Sequence, residues 1–181
     1  DFITFSSTGD ATDFGNLTKG RTETSGFSNA TRALAAGDSV PGSNDTIDVW
    51  TMSSTGDAVD FGNLLSSTNN AQSFGALANA TRGIFGGGQP GPSVVDTIDY
   101  VTIASTGTNA VDFGNLTSTR RMLTSASSPT RSLFFAGITP SAVNTIDFIT
   151  IASTGNATDF GDMTYASYGG GVVSSKTRAV M

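Results

Sequence analysis

This chain of 181 residues contains four copies of one repeat unit. Asp48, Asp99 and Asp147 each follow a Thr-Ile pair, and Asp1 takes the same place, so the intervals are 47, 51 and 48 residues. Each unit then carries Ser-Thr-Gly, Asp-Phe-Gly and Thr-Arg in the same order. A period of this length is typical of solenoids and propellers, in which a unit buries its apolar face only against its neighbours. We therefore predict one domain over 1–181, with repeat units at approximately 1–47, 48–98, 99–146 and 147–181.

Turn residues divide each unit into four short strands, which we name a, b, c and d in the order in which they follow the Thr-Arg pair. Strand a is predicted at 83–87 and 132–136, where small and apolar residues allow backbones to approach closely. Strand b is predicted at 98–104, which is rich in β-branched and aromatic residues. Strand c follows at 110–116. The polar and variable strand d is predicted to lie at the outer edge of its sheet.

In this phase the chain reads b-c-d, then a-b-c-d three times, and ends with a strand a over 178–181. This makes sixteen strands. Because the last strand a and the first strand b are successive elements of the repeat, their pairing would close a ring.

The segment 82–113 resembles the kelch repeat. It has an apolar run that ends in Gly-Gly, a loop, a strand with acidic and aromatic positions, and a further strand with a large apolar residue. Phe stands where the family usually has Trp, at Phe14, Phe61, Phe113 and Phe160. The resemblance implies an all-β, kelch-like β-propeller of four repeats of four antiparallel strands. This is either a closed four-bladed ring or a part of a larger propeller, such as half of an eight-bladed pair.

The amino-acid sequence of the repeat, best seen in residues 145–162, is also similar to that of repeat-bearing virion and tail proteins of marine tailed bacteriophages. This resemblance implies a noncatalytic structural or binding module at a virion surface or in another extracellular setting. Its partners would be proteins of the assembly, with a host-surface glycan as a further possibility and a homo-oligomer as another. A carbohydrate-binding propeller unrelated to phage is the alternative.

The composition argues against several other classes of protein. The net charge is −6 with only nine Lys and Arg residues, whereas a nucleic-acid partner requires a basic face. No apolar run approaches the length of a membrane-spanning helix. The chain has no His and no Cys, so His-based and Cys-based hydrolases and the usual zinc and copper sites lack their groups. We expect no enzymatic activity, no cofactor and no metal.

Two charged positions recur in every unit. One holds arginines and the other aspartates, and a residue repeated in every unit usually serves the repeat itself. We therefore expect the arginines to form structural ion pairs with the aspartates and so tie one strand to the next; a ring of anion-binding donors is the alternative. The arginines are Arg32, Arg82, Arg131 and Arg178, and the aspartates are Asp13, Asp60, Asp112 and Asp159.

Variable loops supply the candidate binding surface. The a-b loops at 37–44, 88–95 and 137–143 and the c-d segments at 18–22, 65–70 and 117–121 differ between repeats, and blade topology places both sets at one end. Recognition commonly uses variable loops on a rigid scaffold. Its most adhesive side chains would be those of Arg120, Arg121, Tyr165 and Tyr168.

Overall fold

The computed structural model describes residues 1–37, 45–65, 75–105 and 107–181. Parts of one a-b loop, one c-d segment and one strand d that the sequence predicted lie outside these ranges. Among the described residues the fold is all-β, and no helix there is suited to crossing a membrane. The strands are β1 Ser25–Ser28, β2 Arg32–Ala36, β3 Thr46–Thr51, β4 Val59–Asn63, β5 Gly75–Ala78, β6 Arg82–Gly86, β7 Thr97–Thr102, β8 Val111–Asn115, β9 Thr124–Ser127, β10 Arg131–Phe135, β11 Val143–Thr150, β12 Thr158–Ser167, β13 Val173–Ser174 and β14 Ala179–Val180.

These strands form four antiparallel sheets with a repeated topology. The first sheet has the order β1-β2-β3-β4, the second β5-β6-β7-β8 and the third β9-β10-β11-β12, while the fourth consists of β13 and β14. In the repeat notation, each complete sheet has the order d-a-b-c. Strand b, predicted at 98–104, is confirmed as β7, and its β-branched residues suit a strand with a neighbour on both edges.

A side-chain-capped turn joins strand d to the strand a that follows it. Asn29 Oδ1 accepts hydrogen bonds from the backbone N–H groups of Thr31 and Arg32, both at 2.9 Å. Asn79 makes the same contacts in the next repeat, and Ser128 and Ser175 replace the Asn in the third and fourth sheets. The short turn makes d and a adjacent antiparallel strands.

Strand d is an edge strand of every complete sheet, as predicted, but its edge faces the neighbouring sheets and is not the outer one. β1, β5, β9 and β13 lie where consecutive sheets meet, while strands c form the opposite edges. Small residues make this close approach possible, since Ser125 Oγ donates to Ala76 O at 3.0 Å and Ser127 Oγ to Ala78 O at 2.7 Å. The serines of β9 therefore serve hydrogen bonds between sheets, while β13 is exposed.

The hydrophobic core consists of layers between consecutive sheets. Leu34, Ile47 and Phe61 of the first sheet pack with Phe85 and Val101 of the second. A similar layer joins the second and third sheets. Between the third and fourth sheets only Ala126, Phe135 and Ala136 are buried, so this layer is much thinner.

A second set of backbone contacts links strand c of one unit to the turn of the next. Gly56 N donates to Phe14 O at 2.7 Å, and Ala58 N donates to Asn16 O at 2.8 Å. Glycine is required in strand c, because a Cβ on Gly62 of β4 would lie 2.3 Å from Thr108 O. The same pair of hydrogen bonds recurs from the second unit to the third and from the third to the fourth.

The predicted ring is not closed in this structure. β14 pairs only with β13 among the described residues, and residues 1–14 form one bridge, between Phe2 and Thr12, in place of the first strands b and c. The sixteen predicted strands therefore appear as fourteen in the described parts of the chain. We call residues 1–14 the N-terminal hairpin.

Candidate functional site

Two of the four recurring arginines connect consecutive sheets. Arg32 Nη1 donates to Ile103 O and to Ser105 O, both at 2.7 Å, and Arg82 Nη1 donates to Ile151 O at 2.7 Å. Each guanidinium thus reaches the end of strand b in the following sheet. These arginines have the structural role that the sequence predicted, but with carbonyl partners instead of the expected carboxylates.

Stacking holds two of these guanidinium groups in place. Arg82 lies 4.7 Å from the ring centroid of Tyr100, and Arg131 lies 5.0 Å from that of Phe148. Unlike Arg82, Arg131 has no hydrogen bond from its guanidinium to any residue that the structure describes, and the same holds for Arg178. Both are exposed and belong to the third and fourth sheets.

The recurring aspartates stabilise local turns instead of pairing with the arginines. Asp13, Asp60 and Asp159 each accept a hydrogen bond from the backbone N–H two residues later, at 2.9 to 3.0 Å. Asp112 is exposed and lies opposite Asp99 in the strand register. The predicted Arg–Asp ion pairs were therefore wrong. Within the described ranges no group of three or more acidic residues is arranged to hold a metal ion.

The ion pairs of the described residues lie elsewhere, on the buried aspartates of strand b. Arg21 Nη2 pairs with Asp48 Oδ1 at 2.8 Å, and Arg120 pairs with Asp147, with every side chain fully buried. Thr117 completes the second site through its backbone N–H and its hydroxyl. Burial lowers the pKa of Arg120, and the charge and hydrogen bond of Asp147 oppose that shift.

Arg120 is therefore not a surface contact residue, which corrects the prediction made for it. Its guanidinium also donates to Ala136 O at 3.0 Å and to Thr145 O at 3.1 Å. The relevant signal in the sequence was the spacing from Leu17 to Arg21, repeated from Leu116 to Arg120. Sequence reasoning noticed the recurring aspartates of strand b but did not recognise them as buried ion-pair partners.

Asp99 occupies the same position in the second sheet without such an arginine. Leu65 N donates to Asp99 Oδ2 at 3.0 Å, and Asp99 Oδ1 has no partner among the described residues. Burial is the main cause that raises the pKa of Asp99 to about 6; the hydrogen bond from Leu65 lowers it, and the charge of Asp112 raises it. The residue aligned with Arg21 and Arg120 is Thr68, which lies outside the described residues.

In the described parts of the chain, a-b loops and a c-d segment contact each other, as predicted for the variable-loop end. Gly88 N donates to Arg120 O at 2.8 Å and Arg120 N to Val95 O at 3.1 Å, which joins the loop 88–95 to the segment 117–121. Arg121 exchanges two backbone hydrogen bonds with Ile138 of the next a-b loop. One c-d segment thus lies between two a-b loops, as expected from the topology.

Three of the four predicted contact residues are accessible at this end. Tyr165 and Tyr168 are exposed, and Arg121 is half-buried. The neighbouring backbone is held by hydrogen bonds from Gly169 N to Met122 O and from Gly137 N to Ser167 O, at 2.9 and 3.0 Å. Two phenol rings and one guanidinium can stack on flat apolar surfaces and donate hydrogen bonds, which suits contact with sugars or with another protein.

A groove of about 340 Å³ lies between the third and fourth sheets. Its cationic lining residues are Arg131, Lys176 and Arg178, and the ring of Phe160 forms part of its wall. Arg82 is the equivalent of Arg131 between the second and third sheets. The place beside Arg82 is occupied by the end of strand b of the third sheet, which supplies Ile151 O. The groove therefore coincides with the place where a following strand b would contact Arg131.

No protein-family model matches the chain, and no curated protein is significantly similar to it in sequence.

Proposed function

We propose that this chain is a noncatalytic scaffold that presents variable loops for binding, in a phage tail or another virion-surface assembly. The observation that carries the scaffold role is the use of the recurring polar groups. Arg32 and Arg82 bind carbonyls of the following sheet, and the buried Asp48 and Asp147 form ion pairs, so these recurring groups serve the architecture of the repeat.

The proposed virion setting rests on the resemblance of the repeat sequence to virion and tail proteins of marine phages. Its test is mass spectrometry of purified particles that encode this chain, combined with cryo-electron microscopy of their tails. Peptides of the chain in the tail fraction, with periodic density at its position, are expected. Absence of the chain from intact particles would overturn the assignment.

We propose further that the sheets are blades of a kelch-like propeller. Support comes from the repeated four-stranded antiparallel sheets and from the apolar layers between consecutive sheets. Because β14 pairs only with β13 among the described residues, this propeller would need strands b and c from elsewhere to complete the fourth sheet. Small-angle scattering tests the arrangement, since a ring and an extended stack of sheets have different pair-distance distributions.

Binding of a glycan is the second candidate, and the exposed Tyr165 and Tyr168 favour it. Aromatic rings at a rim of loops are suited to stacking on sugar faces. Binding on a glycan array by the wild-type chain, lost in the variant Tyr165→Ala with Tyr168→Ala, would support this function. Val111→Ala is the matched control, because Val111 is also exposed but lies on strand c of the second sheet. Equal binding by all three proteins would overturn it.

A further inference from the structure

The two ends of the stack of sheets carry complementary half-sheets. At one end, β13 and β14 are strands d and a, and among the described residues β14 has no strand on its second edge. At the other end, the N-terminal hairpin occupies the repeat positions of strands b and c, and its Phe2–Thr12 bridge is its only strand pairing among the described residues. Together they make up the four strands of one complete sheet.

The register of the complete sheets specifies how the two halves would pair. Strand a pairs with strand b so that Ala33 is opposite Trp50, Gly83 opposite Val101 and Ser132 opposite Ile149. Because the repeat is in register throughout, the same rule places Ala179 opposite Ile3. It places the exposed Val180 opposite Phe2.

Apolar residues at both ends are exposed where their repeat equivalents are buried. Phe5 is 101% exposed, whereas at the same repeat position Met52 is 46% exposed and Ile103 and Ile151 are 0% exposed. Phe160 is 53% exposed, whereas Phe61 at its position is 0% exposed. Both ends therefore retain interface residues without the interface that buries them elsewhere.

Polar groups at the two ends are complementary in the same way. Strand c of the third sheet has the carbonyls of Phe160 and Asp162 at the positions where Phe113 O and Asn115 O accept hydrogen bonds from Gly155 N and Ala157 N. Gly9 and Ala11 of the N-terminal hairpin are the repeat equivalents of these donors.

Arg131 supplies a third matching contact. Arg32 and Arg82 donate to the carbonyls of Ile103 and Ile151, and the equivalent carbonyl for Arg131 is that of Phe5. The groove beside Arg131 leaves space of about 340 Å³ there.

We propose that a second copy of this chain docks head to tail, with its N-terminal hairpin completing the fourth sheet. The hairpin of the same chain is held at the other end of the stack, where Gly56 N donates to Phe14 O and the ring of Phe2 lies edge-on to Phe14 at 5.8 Å. Contacts between sheets run from the first to the second, third and fourth. The docking continues this series across two molecules and does not depend on what the variable loops bind.

One pair of residues weakens the contact in the wild-type chain. Within the structure, the N–H groups of Asn16, Asn63 and Asn115 donate to the side chains of Asp57, Asn109 and Asn156, so at least one residue of each pair is neutral. The equivalent pair between two copies is Asp162 with Asp10, which brings two carboxylates together. Opposed like charges destabilise a strand pair, so Asp162→Asn should strengthen the docking.

Sedimentation analysis of the 181-residue chain across a wide range of concentration tests the proposal. The mass is expected to rise in multiples of 18.4 kDa. Phe5→Asp should lower the association constant about tenfold or more, because it places a charge in the apolar contact. Asp162→Asn should raise it about two- to fivefold. Val111→Asp, which alters an exposed apolar residue of the second sheet, should leave it unchanged.

Disulfide trapping distinguishes a second copy from closure within one chain. The protein has no Cys, so the double variant Ile3→Cys with Ala179→Cys places single thiols at the two predicted partners. Oxidation should give covalent multimers, while Ile3→Cys with Val180→Cys, shifted by one residue, should react more slowly. An oxidised monomer, or a monomeric mass at every concentration in the wild type and in Asp162→Asn, would overturn the proposal.

Discussion

The guanidinium of Arg120, from the segment between β8 and β9, donates to the carboxylate of Asp147 on β11, and both side chains are fully buried. Replacing Arg120 with Met would leave the Asp147 carboxylate buried without its counter-ion. Removing one partner of a buried ion pair costs about 3 to 5 kcal/mol. We expect a loss of this size in the free energy of unfolding measured with urea.

The neighbouring variant Arg121→Met is the control for this prediction. Arg121 is half-buried, and the one hydrogen bond of its guanidinium among the described residues goes to the sulfur of Met122, at 4.0 Å. Its replacement should change the free energy of unfolding by about 0.5 kcal/mol or less. Equal losses for the two variants would contradict the assignment of Arg120 as the buried partner.

Asp99 should make the stability of this protein depend on pH. Burial raises its pKa to about 6 in the folded chain, against 3.8 for an unperturbed aspartate, so the folded state binds more protons than the unfolded state between these values. The stability that this carboxyl contributes is fully present below pH 3.8 and is lost as the pH rises through 6. The difference between the two limits is about 3 kcal/mol at most.

Asp99→Asn should remove this dependence and stabilise the protein at neutral pH. Chemical unfolding of the wild type and the variant across pH 3 to 8 measures it, and their difference isolates the carboxyl. Asp112→Asn removes the charge that helps to raise the pKa of Asp99, so it should move the transition to lower pH. A difference between wild type and Asp99→Asn that is constant across this range would show that Asp99 does not titrate as described.

Arg82 and Arg131 form a matched pair for measuring the contact between sheets. Both stack on an aromatic ring, but only Arg82 donates to a carbonyl of the following sheet. Arg82→Met should therefore cost about 1 kcal/mol more than Arg131→Met. For a chain of this size the difference in Tm is about 2 to 4 °C. Calorimetry at low protein concentration measures it free of self-association, and equal Tm values would exclude the proposed role of the carbonyl contact.

Gly83 should tolerate no side chain, because the ring of Phe27 from the first sheet lies on it. A Cβ at Gly83 would be 1.9 Å from Phe27 Cζ. Gly83→Ala should therefore destabilise the protein by about 1 to 3 kcal/mol through overpacking. Gly20→Ala is the control, since a Cβ there meets nothing within 4 Å. The prediction fails if both variants unfold at the same urea concentration.

The sequence predicted the positions of the strands well, but it did not predict which strands and sheets lie next to strand d. The β-branched run of strand b and the turns around it have local causes, so β7 lies close to its predicted position. Whether strand d pairs with the strand c before it or the strand a after it is not a local property. The turn closed by Asn29 is compatible with the second arrangement, and contacts between sheets, such as Ser127 Oγ to Ala78 O, place strand d at the edge where consecutive sheets meet.

The same distinction applies to the candidate site. Arg120 and Arg121 are identical side chains in successive positions of a variable segment, and only the spacing that Arg120 shares with Arg21 distinguishes them in the sequence. In the structure, Arg120 is buried against Asp147 and Arg121 is half-buried. Burial depends on which neighbouring sheet covers each position. The repeat pattern predicts the strands within one unit but not how the units pack against each other.

The sequence by itself determined the four repeats, the all-β class and the positions of most strands, because period, β propensity and turn chemistry act over a few residues. Only the tertiary structure decided that the edge formed by strand d faces the neighbouring sheets, that Arg32 and Arg82 bind carbonyls, and that the described strands do not close a ring. These features depend on contacts between residues as many as 73 positions apart, such as Arg32 and Ser105, and those contacts form only when complete sheets pack together.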